Sequence, residues 1–205
     1  MLYLIEGVRP HLGDAVLRNM FDARKRVFVD LLGWDVPVRA GRFEIDQFDT
    51  PNAIYLVLAG ADGAHRASAR LLPTTRPHIL DTMFACLCDG PPPRGETIFE
   101  ITRFCLERSL STRERRATRN ELVSALARFG ANNRITLYTG VAEQGWMEQV
   151  LAFGWRAHRL GAPRNIAGSR LGAIAIEIDA ETPALLERAG ICGTPSFVGE
   201  MPHAA

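Results

Sequence analysis

No run of eighteen apolar residues occurs in this 205-residue chain, so no membrane-spanning helix is expected. Its start, MLYLIEGVRPHLGD, has neither the basic n-region nor the long apolar core of a secretory signal, and a cytoplasmic protein is expected. An excess of either charge is also missing. With 24 Lys and Arg against 23 Asp and Glu, the net charge of +1 supplies no field for gripping nucleic acid or an anionic bilayer. The expected partner is a small molecule or another protein. Cysteine is sparse: Cys86, Cys88, Cys105 and Cys192 form no paired C-x-x-C unit, and nothing stands at zinc-finger spacing. His11, His65, His78, His158 and His203 are scattered without a metal-ligand or nucleophile–base pattern. Reduced thiols and no bound metal are the expectation. Internal repeats and low-complexity blocks are absent as well.

What the chain does have is apolar material, 47% of its residues, and a length that fits one domain over 1–205 with 191–205 as a loose tail. A strand over Leu2–Ile5 precedes a helical stripe from Asp14. In it Val16, Leu17, Met20, Phe21, Val27, Phe28, Leu31 and Leu32 recur at three- and four-residue steps until Gly33 stops it. Strands at Ala53–Ala59 and Ala64–Leu72 flank the turn GADGA and read as a hairpin. TIFEITRFCL, Thr97–Leu106, is β-branched and aromatic and should be a central strand. After an Arg-rich loop, Asn120 caps a helix carrying Leu122, Val123, Leu126, Ala127 and Phe129. A strand Ile135–Val141, a short helix Gln144–Phe153 and a strand Arg170–Ile178 that closes the sheet come next, and Pro183 opens a last helix ending near Gly190. The order implies an α/β fold, a mixed sheet with helices on both faces.

Charge then turns up where apolar residues belong. In RFEIDQFDTPNAIYLVLAG, Glu44, Asp46 and Asp49 stand directly ahead of the apolar strand, and anions so close together resist burial unless cations answer them. Arg24 lies on the apolar helical stripe, four residues from both Met20 and Phe28, where it either snorkels outward or meets an anion inside. Arg70 interrupts ASARLL, and Glu100 and Arg103 interrupt EITRFC. A buried ionic network is the consistent reading. Since apolar replacements usually cost less desolvation, such a network is better explained by function than by stability. Glu44, whose register differs from that of Asp49, is taken as a rim residue.

Arg24, Phe28 and Trp34, then EIDQFD with Asp46 and Asp49, Arg70 in ARLLPTTRPHIL, Phe84, and Glu100 with Arg103 in FEITRF together resemble the signature of the acyl-homoserine lactone synthases, the autoinducer synthases of bacterial quorum sensing. The similarity is dense over Arg24–Phe104 and thins toward Ile178. It implies the acetyltransferase fold of the GNAT type. It also implies an enzyme that joins the amine of S-adenosylmethionine to an acyl thioester, closes the lactone and releases methylthioadenosine. S-adenosylmethionine is then a co-substrate, and no prosthetic group is expected.

Its sulfonium, ammonium and carboxylate call for acids and arginines held rigidly together, which Asp46, Asp49, Arg24, Arg70, Glu100 and Arg103 supply. Trp34 could lie on the adenine or the sulfonium, or clasp the loop hydrophobically; Phe28 and Phe84 are core residues that only the resemblance makes pocket walls. Glu100 is the expected general base for the ammonium, directly or through water. Three residues apart on a regular strand, Glu100 and Arg103 would face opposite ways, so a bulge is expected between them.

By the same resemblance, the connection STRERRATRNE approaches the donor, and Arg113, Arg115, Arg116 and Arg119 are candidates for donor phosphates or an acidic carrier protein. The glycine-rich coenzyme A loop of ordinary acetyltransferases is absent. Gln149, Ala152 and Phe153 occupy a stretch where many relatives carry basic residues for acyl carrier protein, so either carrier protein or coenzyme A is admitted as donor. Tyr138, Ala142 and Trp146 are the expected acyl pocket, although Trp146 also fits a helical core stripe. Ala142 is aligned where a threonine accompanies 3-oxo products, so an unsubstituted or branched chain is expected. Two other readings compete: a coenzyme A-dependent N-acyltransferase for another amine, which would release no methylthioadenosine, and a non-catalytic module that binds without turnover.

Overall fold

The computed structural model describes residues 1–6, 14–193 and 197–198. Strand β1 (Leu2–Glu6) is followed by helix α1 (Ala15–Arg24), whose first amides are capped by Asp14: its carboxylate accepts from Val16 N–H at 2.7 Å and Leu17 N–H at 3.4 Å. Beyond Arg24 the helix widens over Lys25–Val29, with Asp30 N–H reaching the Lys25 carbonyl at 3.1 Å and Leu32 N–H the Val27 carbonyl at 3.0 Å. Such widened turns often mark functional segments. Gly33, at φ +67°, ends the run as expected of a residue free to turn left-handed. A small ribbon of β2 (Val38–Arg39) and β3 (Phe43–Glu44) comes next.

The expected hairpin forms from β4 (Ile54–Ala59) and β5 (His65–Pro73), its turn held by Gly60 N–H on the Ala64 carbonyl at 2.9 Å. A five-residue helix α2 (Ile79–Met83) and the strand β6 (Ile98–Leu106) follow, then α3 (Thr112–Asn132), β7 (Leu137–Glu143), α4 (Gln144–Leu151), β8 (Ala157–Arg159), β9 (Arg164–Ile166), β10 (Ser169–Glu177), α5 (Thr182–Arg188) and β11 (Phe197–Val198). Among the described residues the main sheet runs β11-β1-β4-β5-β6-β7-β10-β8, with β9 on β10. It is a mixed, mostly antiparallel sheet flanked by helices, with β6 parallel to β7 and central as predicted.

Among the described residues the chain forms two compact units: one built on Met1–Arg70, Arg103–Ala125, Gly193 and β11, the other on Leu71–Thr102 and Leu126–Cys192. The first buries Phe21, Ala23, Val27 and Phe28 of the opening helix, the last three packed with Cys105. The second gathers Leu80, Leu87 and Ala173, with Phe84 and Val141 against them.

Three expectations need correction. Residues 112–121 are helix, not an Arg-rich loop, and Asn120 sits inside α3 rather than capping it. The reason is a capping box nine residues earlier: Ser111 N–H and Oγ–H donate to Glu114 at 2.9 and 2.6 Å, and Glu114 N–H returns to Ser111 Oγ at 3.4 Å. β10 does not close the sheet, because β8 pairs along its other side. At the C-terminus Ile191 is buried and β11 pairs in parallel with β1, while most of the expected tail lies outside the described residues.

Candidate active site

In the first unit the acids and arginines meet. Arg24, at 1% exposure, forks onto Asp49 through both terminal nitrogens (2.8 and 2.9 Å) and puts Nε on Glu44 at 2.5 Å. Arg70 grips Asp46 bidentately at 2.7 and 3.0 Å and approaches Asp49 at 2.8 Å. Arg103 donates to Glu44 from Nε at 3.2 Å and from Nη2 at 3.0 Å, and to Asp46 from Nη2 at 2.7 Å. Backbone amides complete the cage: Asp46 N–H donates to Asp49, Phe48 N–H to Asp46, and the Tyr55 hydroxyl to Asp49 at 2.7 Å.

Three carboxylates therefore balance three guanidiniums. Burial opposes charge on Asp49, yet Arg24 and Arg70 hold its carboxyl well below the usual range. Burial likewise works against Arg24, and Asp49 and Glu44 more than offset it. The Tyr55 phenol is pushed up by burial and by the Asp49 charge, so it stays a donor.

Sequence reasoning missed two members. Glu44 is no rim residue: it is fully buried and links Arg24 to Arg103. Its register misled because β3 is two residues long, too short for strand alternation to govern the next loop. Tyr55 reads as a core strand residue, and only its hydroxyl marks it.

Arg103 is the member of the trio with some exposure, 9%. Its guanidinium lies 5.4 Å from the Phe28 ring centre and 5.7 Å from that of Trp34, and the two rings stack at 4.8 Å. Trp34 is 37% exposed, so the stack has an open side. Arg103 has φ +52°, and along β6 the buried positions shift phase from Glu100 and Thr102 to Cys105. Alternation breaks at the expected place.

In the second unit Glu100 is fully buried, and its two oxygens accept from Ile79 N–H at 2.8 Å and Leu80 N–H at 3.0 Å. β6 pairs with β7 as Ile98↔Leu137, Phe99↔Tyr138 and Glu100↔Thr139. Thr139 thus shares the face of Glu100, and its hydroxyl is buried without a hydrogen-bond partner.

A buried carboxylate, a neutralised ionic cage and a cation set on an aromatic stack coincide with a match over residues 11–186 to the family model described as autoinducer synthase. The chain belongs to the autoinducer synthases. The synthase is 35% identical over 195 residues to an acyl-homoserine-lactone synthase of Ralstonia nicotianae, covering 92% of this chain and 94% of that one. A coenzyme A-dependent acyl-homoserine lactone synthase, BjaI, solved with S-adenosylmethionine and isopentyl-CoA, superposes with a TM-score of 0.84 at 25% identity over 98% of this chain and 95% of its own. A Lactobacillus plantarum protein described as an N-acetyltransferase shares the fold alone, with a TM-score of 0.60 at 15% identity over 86% of this chain and 98% of its own.

The remaining expected residues of the synthase lie as follows. Phe84 ends α2 and packs on Leu80, Leu87 and Ala173. Tyr138 is wholly buried with its hydroxyl on the Leu126 carbonyl at 3.1 Å, a core position. Ala142 pairs with Gly172 and, by strand alternation from Thr139, faces away from Glu100. Trp146 is half-buried against Phe153. Arg113, Arg115, Arg116 and Arg119 lie on the first turns of α3; Arg115 donates to the Glu107 carbonyl at 3.1 Å and Arg119 to Asn120 at 2.9 Å. A groove of about 430 Å³ in the first unit, lined by Asp22, Arg26, His65 and Glu107 among others, holds none of the expected site residues, and Arg26 there already pairs with Asp22 and Glu107.

Proposed function

We propose that this synthase transfers an acyl group from a thioester to the amine of S-adenosylmethionine and then lactonises the product, releasing methylthioadenosine and an N-acyl-L-homoserine lactone. The observation that carries the reading is Glu100, a carboxylate buried in a chain of this family with both oxygens oriented by amides. Glu100 takes a proton from the methionyl ammonium, directly or through one water, and the freed amine attacks the thioester carbonyl. The tetrahedral adduct collapses with loss of the thiol. In the second step a carboxylate oxygen bonds to the methionyl γ-carbon as the carbon–sulfur bond breaks, and the sulfonium leaves as a neutral thioether. Holding the folded conformer supplies most of that step.

The stack of Phe28 and Trp34 with Arg103 beside it suits a ligand that bears a sulfonium, an adenine and a carboxylate. Arg24, Arg70, Glu44, Asp46 and Asp49 already satisfy one another, so their role is to hold Arg103 rather than to meet the substrate. The relative solved with S-adenosylmethionine and isopentyl-CoA supports both substrate classes. Coenzyme A is favoured as carrier, because the exposed side of α4 presents Glu148 and Gln149 to an acidic carrier protein, which offers it no cation. Arg113 and Arg116, exposed on α3, suit the donor's phosphates. Both substrates belong to the cytoplasm, which is the proposed location.

Mass spectrometry of the purified synthase with S-adenosylmethionine and a panel of acyl-CoA donors should show acyl-homoserine lactone and methylthioadenosine in equal amounts. Thiol release without methylthioadenosine would instead identify an N-acyltransferase for another amine. Binding with no turnover on either coenzyme A or carrier-protein thioesters would leave a non-catalytic module.

A further inference from the structure

Glu100 is held by a turn, and that turn is itself tied down. His78 N–H donates to Asp81 Oδ1 at 2.8 Å, its ring Nδ1 lies 2.9 Å from the Arg76 carbonyl, and its own carbonyl accepts from Thr82 N–H at 3.1 Å and Thr82 Oγ at 2.5 Å. A carbonyl only accepts, so Nδ1 carries a proton in that bond, while the buried Nε2 has no hydrogen-bond partner. From outside, Arg94 fixes Asp81 at 2.8 Å and reaches the Thr75 carbonyl at 3.3 Å. These bonds leave the Ile79 and Leu80 amides aimed at β6, where both oxygens of Glu100 receive them.

We propose that His78, Asp81 and Arg94 form a positioning relay that holds these two amides on Glu100, fixing the direction of its lone pairs and keeping it ionised for proton transfer. The proposal rests on the reading of Glu100 as the base. Hydrogen bonds to a carboxylate favour its charged form, so loosening the turn makes Glu100 hold its proton to higher pH. The segment that caps Glu100 carries the charged and titratable groups Arg76, His78, Asp81, Asp89, Arg94 and Glu96, of which His78, Asp81 and Arg94 bond one another or the turn; β7 brings the neutral hydroxyl of Thr139, and the arginines Arg70 and Arg103 on β5 and β6 are paired with Asp46, Asp49 and Glu44. None of the three relay residues touches substrate in this account; they act through Glu100.

The sign separates the relay from a plain charge effect. If Asp81 acted on Glu100 through its charge alone, every variant that removes the anion would ease ionisation of Glu100 and lower the acid limb of the kcat/KM profile. Removing the acceptor oxygen of Asp81 frees the amides and raises the limb. Asp81→Ala is therefore expected to move the acid limb up by about one pH unit, with roughly tenfold lower kcat/KM below it and KM for S-adenosylmethionine little changed. Asp81→Asn keeps an acceptor for His78 N–H and should restore the wild-type limb. Arg94 is 51% exposed, so Arg94→Met should fold normally and raise the limb part of the way.

A lowered limb in Asp81→Asn, or equal limbs in wild type, Asp81→Ala and Arg94→Met, overturns the relay. Should Asp81→Ala fail to fold, the contrast of Asp81→Asn with Arg94→Met still decides it, since charge alone shifts these two in opposite directions. Glu100→Gln run beside them separates the two claims. If its acid limb persists unchanged, Glu100 is not the titrating base. If the limb vanishes there but stays fixed in the relay variants, only the relay falls.

Discussion

A guanidinium is costly to bury alone, and the cage around Arg24 shows how the chain avoids that cost. Each of Glu44, Asp46 and Asp49 serves two arginines, so no charge in the cage is left unanswered. Removing one partner strands another in low dielectric, typically at a cost of about 3–5 kcal/mol. Glu44→Gln leaves Arg24 and Arg103 sharing one charge fewer, and Asp49→Asn does the same to Arg24 and Arg70. Both variants are expected to lose about 3–5 kcal/mol in urea titrations, and Glu44→Gln to weaken S-adenosylmethionine binding in calorimetry by freeing Arg103 from its stack. Wild-type stability in both would show that the cage is dispensable. Sequence alone pointed to Asp46, Asp49, Arg24, Arg70 and Arg103 because a charge inside an apolar period is visible as a misfit. Glu44 escaped because β3 is two residues long, too short for a periodicity to show where its side chain points.

At the scale of elements, the long stripes were legible and the short pieces were not. α1 and β4 through β6 declare themselves by period, and the break of alternation at Arg103 follows from the three-residue step between Glu100 and Arg103. α2 is five residues long, shorter than two turns, and carries no period to read, yet it supplies the amides on Glu100. The start of α3 was written in Ser111 and Glu114, but the run of arginines between and beyond them masked it. β7 holds a comparable surprise. Alternation turns Ala142 away from Glu100 and brings Thr139 to it, with a buried hydroxyl that the protein leaves without a partner. We propose Thr139 as a donor for the carbonyl of a 3-oxo chain, which sets it against the expected penalty on such a chain. With matched acyl-CoA donors, Thr139→Val should lower the ratio of kcat/KM for 3-oxo over unsubstituted chains by about tenfold, the worth of one buried hydrogen bond. An unchanged ratio would return Thr139 to an ordinary core threonine.

For the molecule as a whole, family and reaction were legible because ten or so chemically demanding residues keep fixed separations, whereas the choice of acyl chain depends on which face a single strand position takes. Its response to mild acid is set by a group outside that signature. His65, buried at the start of β5, has Nε2 2.9 Å from Ser68 Oγ and no partner for Nδ1. Burial, against a smaller pull from Glu107 and with Arg26 adding to it, pushes its pKa down to about 4. In the unfolded chain the same ring titrates near 6.5, so between these values only the unfolded state takes up the proton and stability falls as pH falls. The loss is absent above about pH 6.5 and approaches roughly 3 kcal/mol by pH 4. Asp49, held far below its ordinary value, adds a second loss that begins only near the unfolded carboxylate value of about 4 and continues below it. Urea midpoints at pH 7, 5.5 and 4 should therefore decline in the wild type well before any carboxylate protonates. His65→Gln keeps a polar group near Ser68 but has no proton to gain, and its midpoints should stay level from pH 7 to about 4.5 and fall only beyond. Parallel declines in the two proteins above pH 4.5 would mean that His65 accepts its proton in the folded state as readily as outside it.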